Sequence, residues 1–81
     1  SGPNPIYPEA ARRARIQGVV VLECTIGKDG RVIRVKVLRG LPLGLTESAE
    51  DAVRKWRFKS STLNGKPVEV LYILTVRFNL Q

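Results

Sequence analysis

The sequence contains no histidine and only one cysteine, which limits the chemistry that its side chains can perform. Without histidine there is no Cys/His metal site, and a single cysteine cannot form an internal disulfide. Cys24 falls on the apolar face of a predicted strand, where a thiol usually packs as a small hydrophobic group. The run Gly27-Lys28-Asp29-Gly30 joins two predicted strands rather than opening a helix, so it is not a phosphate-binding loop. We therefore expect neither an enzyme nor a bound metal or cofactor.

Long hydrophobic runs are also missing. No apolar segment approaches the roughly 18 residues that a membrane-spanning helix needs, and we expect no signal peptide. The 81 residues, 43% of them apolar and 26% charged, suit a single small globular domain. Because Ser1 and Gly2 resemble the remainder of a cleaved tag, we expect an excised fragment. Residues 1–5 would be tag remnant and extended lead-in, and residues 6–81 the domain.

Acidic residues are few: the sequence has 7 Asp and Glu but 14 Lys and Arg, which gives a net charge of +7. Nucleic acid, anionic lipid and acidic proteins are therefore all candidate partners. Apart from groups around Arg12–Arg15 and Arg54–Lys59, the cations are scattered over predicted strands and turns. This distribution indicates a solubilising surface, with a basic interaction face as the alternative.

The last part of the chain carries its longest alternating pattern. From Pro67 to Gln81, apolar side chains recur at every second position, which predicts a strand with one face in a core. At roughly 3.3 Å per residue this strand would be about 40 Å long, well beyond the usual five or six residues. A small domain has few strands of its own to pair along both sides of it.

Two helices and a hairpin precede that strand. We predict the first helix from Pro8 to about Gln17, with Gly18 as its C-terminal cap. The second helix should be capped by Thr46, or by Ser48 with Asp51 in a capping box, and anchored to the core by Trp56 and Phe58. Two strands are predicted, Val19 to Ile26 and Arg31 to Arg39, joined by a turn at Asp29-Gly30. In the second strand the residues facing the core should be Ile33, Val35 and Val37. A loop from Ser60 to Pro67, with a turn at Asn64-Gly65, should lead into the last strand.

The order α-β-β-α-β predicts a two-layer α+β domain, with a three-stranded antiparallel sheet and two helices on one face. The last strand can lie beside the second strand or beside the first, since a right-handed crossover permits both. In either arrangement the last strand is a sheet edge, with Leu71 and Ile73 pointing outward near Val19 and Val21. Such residues can be ordinary β-formers on a half-exposed sheet. They can also serve strand addition, in which a peptide or a second protomer pairs along the edge.

An ordered set of short motifs resembles the C-terminal domain of the TonB family. The motifs extend over nearly the whole chain, from about Pro5 to Leu80. Each motif alone is common, but the motifs in this order are specific to the family. Ser60-Ser61 and Thr46-Glu47 depart from the family pattern, at a turn and a helix start. The motifs are Tyr7-Pro8 with Ala10 and Ala11, Ile16-x-Gly18-x-Val20, Asp29-Gly30 followed by Val32 and Val35, Ala49-x-x-Ala52-Val53-x-x-Trp56-x-Phe58, and Asn64-Gly65-Lys66-Pro67-Val68.

The resemblance implies a periplasmic domain carried by an inner-membrane anchor and a Pro-rich spacer. Proteins of this family couple proton-motive force, harvested by an ExbB/ExbD-like motor, to outer-membrane transporters, whose N-terminal TonB box pairs with the last strand of the domain. In this family the segment before the first helix, the lead-in, lies near the receptor plug. In this chain Tyr7 of the lead-in could instead pack the first helix on the sheet. The partner-binding residues implied are Val70, Leu71, Tyr72, Ile73, Leu74, Thr75, Val76, Arg77 and Phe78 on the strand, and Asn4, Pro5, Tyr7 and Pro8 in the lead-in.

Three other functions compete with that interpretation. A nucleic-acid module would need stacking aromatics among the cations of the open sheet face, but that face has Arg34, Lys36 and Arg77 without aromatics. We therefore expect no nucleic-acid partner. A homodimer could form if the free edge paired with its copy. The domain could also belong to a different fused periplasmic protein.

Overall fold

The computed structural model describes residues 2–80, so the tag-remnant prediction for Ser1 and the strand prediction for Gln81 lie outside the described residues. The sheet has the order β2-β1-β5, is antiparallel throughout, and is accompanied by a separate β3-β4 hairpin. The predicted two-layer α+β fold is confirmed, and the last strand lies beside the first. The elements are α1 (Glu9–Arg13), β1 (Gly18–Ile26), β2 (Val32–Arg39), α2 (Leu45–Arg54), β3 (Ser61–Leu63), β4 (Lys66–Val68) and β5 (Val70–Phe78).

One hydrophobic core joins both helices to one face of the sheet. Burial alternates along β1 as the sequence pattern predicts, and the small side chains of Ala11 and Ala49 let the helix backbones approach the sheet closely. Between residues 2 and 80 no polar or charged side chain is buried, and neither helix is long and apolar enough to cross a membrane. The buried hydrophobic residues are Ala11, Val20, Leu22, Cys24, Ile26, Leu45, Ala49, Ala52, Val53, Val76 and Phe78.

The first helix is shorter than predicted, since α1 ends at Arg13 and does not include residues 14–17. Arg15 adopts a left-handed conformation (φ 55°), and the amide of Ile16 donates to the carbonyl of Ala11 at 3.0 Å. This is the hydrogen-bond pattern of a Schellman motif, which satisfies the last helical carbonyls. The predicted cap at Gly18 is therefore wrong, and Gly18 instead opens β1.

The predicted caps of the second helix are also wrong. Gly44, with φ 84°, occupies the N-cap position, and no side chain caps the helix. The hydroxyl of Thr46 instead donates to the carbonyl of Leu41 at 2.9 Å. The hydroxyl of Ser48 donates to the carbonyl of Ile6. Both hydroxyls thus tie neighbouring segments to α2 rather than satisfying its first amides.

Two β-bulges interrupt β2. Its register with β1 shifts twice, and each shift leaves one residue of β2, Ile33 or Leu38, without a partner. The predicted core position of Ile33 is therefore wrong, since this side chain is 54% exposed. Val32 packs against the core instead, and Val35 does so as predicted. Val37, the third predicted core residue, is 39% exposed. A bulge adds one residue to the strand and so moves the following side chains to the opposite face.

The long terminal strand is divided in two. Pro67 and Val68 belong to β4, which pairs with β3 around the turn at Asn64 and Gly65, both in left-handed conformations. The predicted turn is correct, but the predicted loop contains a strand. Glu69 then separates β4 from β5, so the edge strand has nine residues.

Candidate strand-pairing edge

The outer edge of β5 is long and regular. Its nine residues pair with β1 one for one, from Gly18 with Phe78 to Ile26 with Val70, without a register shift. Within residues 2–80 no strand pairs with its other side. The N–H and C=O groups that point toward that side are available to another strand.

The side chains along β5 alternate between the two faces of the sheet, as predicted. Leu71 and Ile73 point away from the helices and are 64% and 57% exposed, whereas Val76 and Phe78 lie in the core. Tyr72 is on the helix side but is 43% exposed. An added strand would therefore contact apolar side chains on both faces near the start of β5, and mainly backbone and outer side chains near its end.

The opposite edge of the sheet is poorly suited to strand pairing. β2 carries the two bulges at Ile33 and Leu38, together with the exposed cations Arg34, Lys36 and Arg39. Bulges and charges of this kind are the features by which proteins block edge-to-edge association. The structure thus leaves one open edge, on β5, and one blocked edge, on β2.

A row of three aromatic rings runs along the helix side of the open edge. The ring centroids of Trp56 and Phe58 are 6.4 Å apart, and those of Phe58 and Tyr72 are 5.7 Å apart. Trp56 and Phe58 pack against the core as predicted, although both are only half-buried. The contact of Phe58 with Tyr72 on the edge strand could not be inferred from spacing, since it depends on how the chain turns after α2.

The lead-in lies against α2 rather than along β5. The indole Nε1 of Trp56 donates to the carbonyl of Pro3 at 2.7 Å. A cleft of about 450 Å³ separates the lead-in from α2, and Asn4 and Pro8 are among the residues that line it. Pro5 precedes Ile6, whose side chain is 79% exposed. The structure therefore does not bring Asn4, Pro5 and Pro8 together with the β5 edge.

Tyr7 is the exception, because it connects the lead-in with the end of β5. Its ring meets Phe78 edge-on, with centroids 5.4 Å apart, and the guanidinium of Arg12 lies 5.6 Å from its centroid. Its hydroxyl donates to the carbonyl of Ile16. These contacts show that Tyr7 packs α1 and the following turn onto the sheet.

The remaining chemistry of the described segment is sparse. Cys24 is buried, and this burial raises the pKa of its thiol above the usual value of 9.0, although the nearby positive charge of Arg54 acts in the opposite direction. No cluster of three or more potential metal ligands occurs among residues 2–80. The feature with a clear binding capacity is the backbone edge of β5.

These observations define a small α+β domain whose sheet can accept a further strand on one side. The chain belongs to the family described as Gram-negative bacterial TonB protein C-terminal, whose model matches residues 3–80. The resemblance predicted from the sequence motifs is confirmed by this match.

Individual relatives agree with the assignment. The chain is 39% identical over 77 residues to protein TonB of Xanthomonas campestris pv. campestris, covering 94% of this chain and 34% of that protein. It is 32% identical over 79 residues to protein TonB of Vibrio cholerae, covering 96% of this chain and 32% of that protein. The chain thus spans about a third of the length of these relatives. The solution NMR structure of the Pseudomonas aeruginosa TonB CTD superimposes with a TM-score of 0.80 at 29% identity, covering 100% of this chain and 83% of that one.

Proposed function

We propose that this domain is the periplasmic receptor-binding part of a TonB-like energy transducer, in which β5 pairs with the TonB box of an outer-membrane transporter. The observation that carries the proposal is the contrast between the two sheet edges. β5 offers nine consecutive residues without a bulge, whereas β2 is interrupted by two. An extended peptide can therefore join the sheet in register at one side only.

The same geometry suits the transmission of force. In this proposal the parent protein is anchored in the inner membrane and works with an ExbB/ExbD-like motor that uses proton-motive force. A strand paired with β5 and pulled along its axis loads many backbone hydrogen bonds at once. Because these bonds are made by the main chain, one edge can serve several transporters for nutrient or siderophore uptake with limited dependence on their side chains.

The lead-in is the second part of the proposed site. Asn4 and Pro8 border the cleft against α2, and Pro5 lies between them in the extended segment. Tyr7 holds this segment near the end of β5 through its contact with Phe78. The lead-in would contact the receptor plug, with Tyr7 positioning it rather than exposing its ring to the partner.

A backbone NMR titration tests the strand-pairing proposal directly. The ligand is a peptide from the N-terminus of a TonB-dependent transporter of the same organism. We expect amide shifts concentrated in Val70–Phe78 and its neighbour β1, with smaller shifts in β2. Shifts that are concentrated in β2, or absent at millimolar peptide, would contradict the proposal.

Two N-methylated versions of the peptide provide a matched control. In a paired strand, the N–H groups of alternate residues point toward the partner and those of the intervening residues point away. One peptide is therefore N-methylated at odd positions and the other at even positions, which leaves all side chains unchanged. We expect one version to bind at least tenfold more weakly and the other to bind within a few-fold of the parent. Equal binding of both would exclude main-chain pairing.

Self-association is the alternative that the open edge also permits. Two copies of β5 would then pair antiparallel across a two-fold axis, with the exposed side chains of Leu71 and Ile73 beside the second copy. Sizing over a range of concentrations separates the two functions, because self-pairing would occupy the edge and make peptide binding weaker as the protein concentration rises.

A further inference from the structure

The sheet has a second face that is not covered by any part of the described chain. Both helices pack on the face that contains the core residues of β1, such as Leu22 and Cys24. The opposite face, here called the outer face, carries the intervening residues of β1 and their cross-strand partners. It consists of Val19, Val21, Glu23 and Thr25 of β1, Leu71, Ile73, Thr75 and Arg77 of β5, and Ile33, Arg34, Lys36 and Arg39 of β2.

Apolar side chains occupy part of the outer face although water can reach them. Leu71, Ile73 and Ile33 are each more than half exposed, and Val19 and Val21 are half-buried. Single exposed apolar residues are common, but a group on one sheet face is typical of a surface that binds a partner.

Four cations lie on this face, and all of them are exposed. Arg34, Lys36, Arg39 and Arg77 make no ion pair and no side-chain hydrogen bond with residues 2–80. Elsewhere, exposed arginines such as Arg13 do pair with a nearby carboxylate. These four cations outnumber the one carboxylate of the outer face, that of Glu23, which lies opposite Lys36. The face therefore combines uncovered apolar area with an excess of positive charge, which favours an acidic partner.

The shape of the outer face distinguishes among acidic partners. Two adjoining shallow clefts, of about 500 and 210 Å³, share Thr25, Arg34 and Leu71 in their walls. Three strands are about 10 Å wide at a spacing of roughly 4.8 Å, which matches the diameter of an α-helix, about 10–12 Å. A flat lipid surface would not fill these clefts, whereas the side-chain ridge of a helix would.

We propose that the outer face binds an acidic amphipathic helix of a protein partner. The apolar side of that helix packs on Ile33, Leu71 and Ile73, and its carboxylates lie beside Arg34 and Lys36. The helix adds a third layer to the domain, which is the usual way in which a sheet buries its second face. This contact uses side chains of the outer face and leaves the backbone edge of β5 free, so it does not depend on the proposed strand pairing.

Isoleucine methyl NMR tests the proposal with a defined probe. The probe is a synthetic 18-residue peptide with leucines along one helical face and glutamates along the other. Ile33 and Ile73 report on the outer face, and Ile26 in the core is the internal reference. We expect binding to shift the signals of Ile33 and Ile73 but not that of Ile26, and to weaken at least tenfold between 50 and 300 mM salt.

Charge reversal supplies matched protein variants. The double variant R34E/K36E removes two cations from the outer face, whereas K59E/K66E makes the same charge change at exposed positions outside it. We expect R34E/K36E to bind the peptide at least tenfold more weakly and K59E/K66E to bind within about threefold of the parent chain. A peptide of the same composition, reordered so that leucine and glutamate no longer segregate, should also bind at least tenfold more weakly.

Several outcomes would overturn the proposal. These are equal weakening by both double variants, unchanged binding of the reordered peptide, shifts that leave Ile33 and Ile73 unaffected, or no binding at millimolar peptide. Selective binding to vesicles containing phosphatidylglycerol, without binding of the helical peptide, would assign the face to a lipid surface instead.

Discussion

Replacing Gly30 with alanine tests how the β1-β2 turn is fastened to the segment after α2. Gly30 has φ 85°, and a Cβ atom at this position would lie 2.0 Å from the carbonyl oxygen of Phe58. The amide of Phe58 also donates to the carbonyl of Gly30 at 2.9 Å. Alanine can therefore be accommodated only if the two backbones separate.

Two costs add up in this variant. The left-handed conformation costs an alanine roughly 1–2 kcal/mol, and loss of the backbone hydrogen bond costs about 0.5–1.5 kcal/mol. We expect Gly30→Ala to lower the free energy of unfolding by about 1.5–3.5 kcal/mol. At about 4–8 °C per kcal/mol for a domain of this size, that corresponds to a fall in Tm of about 6–28 °C. The aromatic row at Phe58 should shift as well, with weaker peptide binding at the β5 edge.

Gly65 is the matched control, since it has φ 77° but no atom within 4 Å of the added Cβ. Gly65→Ala should incur only the conformational cost, roughly 1–2 kcal/mol. Urea unfolding of the two variants measures the difference. If Gly30→Ala were no more destabilising than Gly65→Ala, the close contact with Phe58 would not limit stability.

Two further variants test the core side of the sheet. Tyr7→Phe removes the hydroxyl that donates to the carbonyl of Ile16, so we expect the free energy of unfolding in urea to fall by about 0.5–1.5 kcal/mol. Tyr7→Ala should lower it further, because the ring contact with Phe78 also disappears. Equal losses in the two variants would show that the ring contributes nothing to stability. Burial raises the pKa of Cys24 above 9.0 in the folded state, so the thiol loses its proton at a lower pH in the unfolded chain than in the folded one. This contribution to the free energy of unfolding is therefore fully present below pH 9 and should decrease as the pH rises further. Cys24→Ala should lack this component, and identical pH dependences above pH 9 for the parent and the variant would contradict the pKa argument.

Regular patterns made much of the fold predictable from the sequence. The strict alternation on β1 and the turns at Asp29-Gly30 and Asn64-Gly65 indicate strands and hairpins through local chemistry alone. The edge position of β5 also followed, since a third strand joined by a helical crossover lies at an edge in both possible orders.

The errors arose where tertiary contacts decide local structure. Nothing local marks Ile33 as a bulge, because its place is determined by the register that β2 adopts against β1. Thr46 and Ser48 have the composition of caps but bond instead to Leu41 and Ile6, which lie in other segments of the chain. Arg15 takes a left-handed conformation that composition would assign to Gly18.

The candidate site was predictable to different degrees. Residues Val70–Phe78 could be placed on an edge from alternation and topology. The position of the lead-in against α2 could not, because it depends on the hydrogen bond from Trp56 to Pro3 and on packing between segments far apart in sequence. Blocking of the β2 edge by bulges was likewise visible only in three dimensions.

The pairing of β1 with β5 has a consequence for the order of folding. β1 and β2 are joined by a short turn, so their contact closes a small loop, whereas Gly18 and Phe78 meet across nearly the whole folded chain. Closing the longer loop costs more entropy, so we expect the β1-β2 hairpin to form first and β5 to dock late. Until it does, one side of β1 is itself an unpaired edge. During synthesis or refolding, that side could accept β5 from a neighbouring chain, and dilute conditions would favour the correct intramolecular pairing.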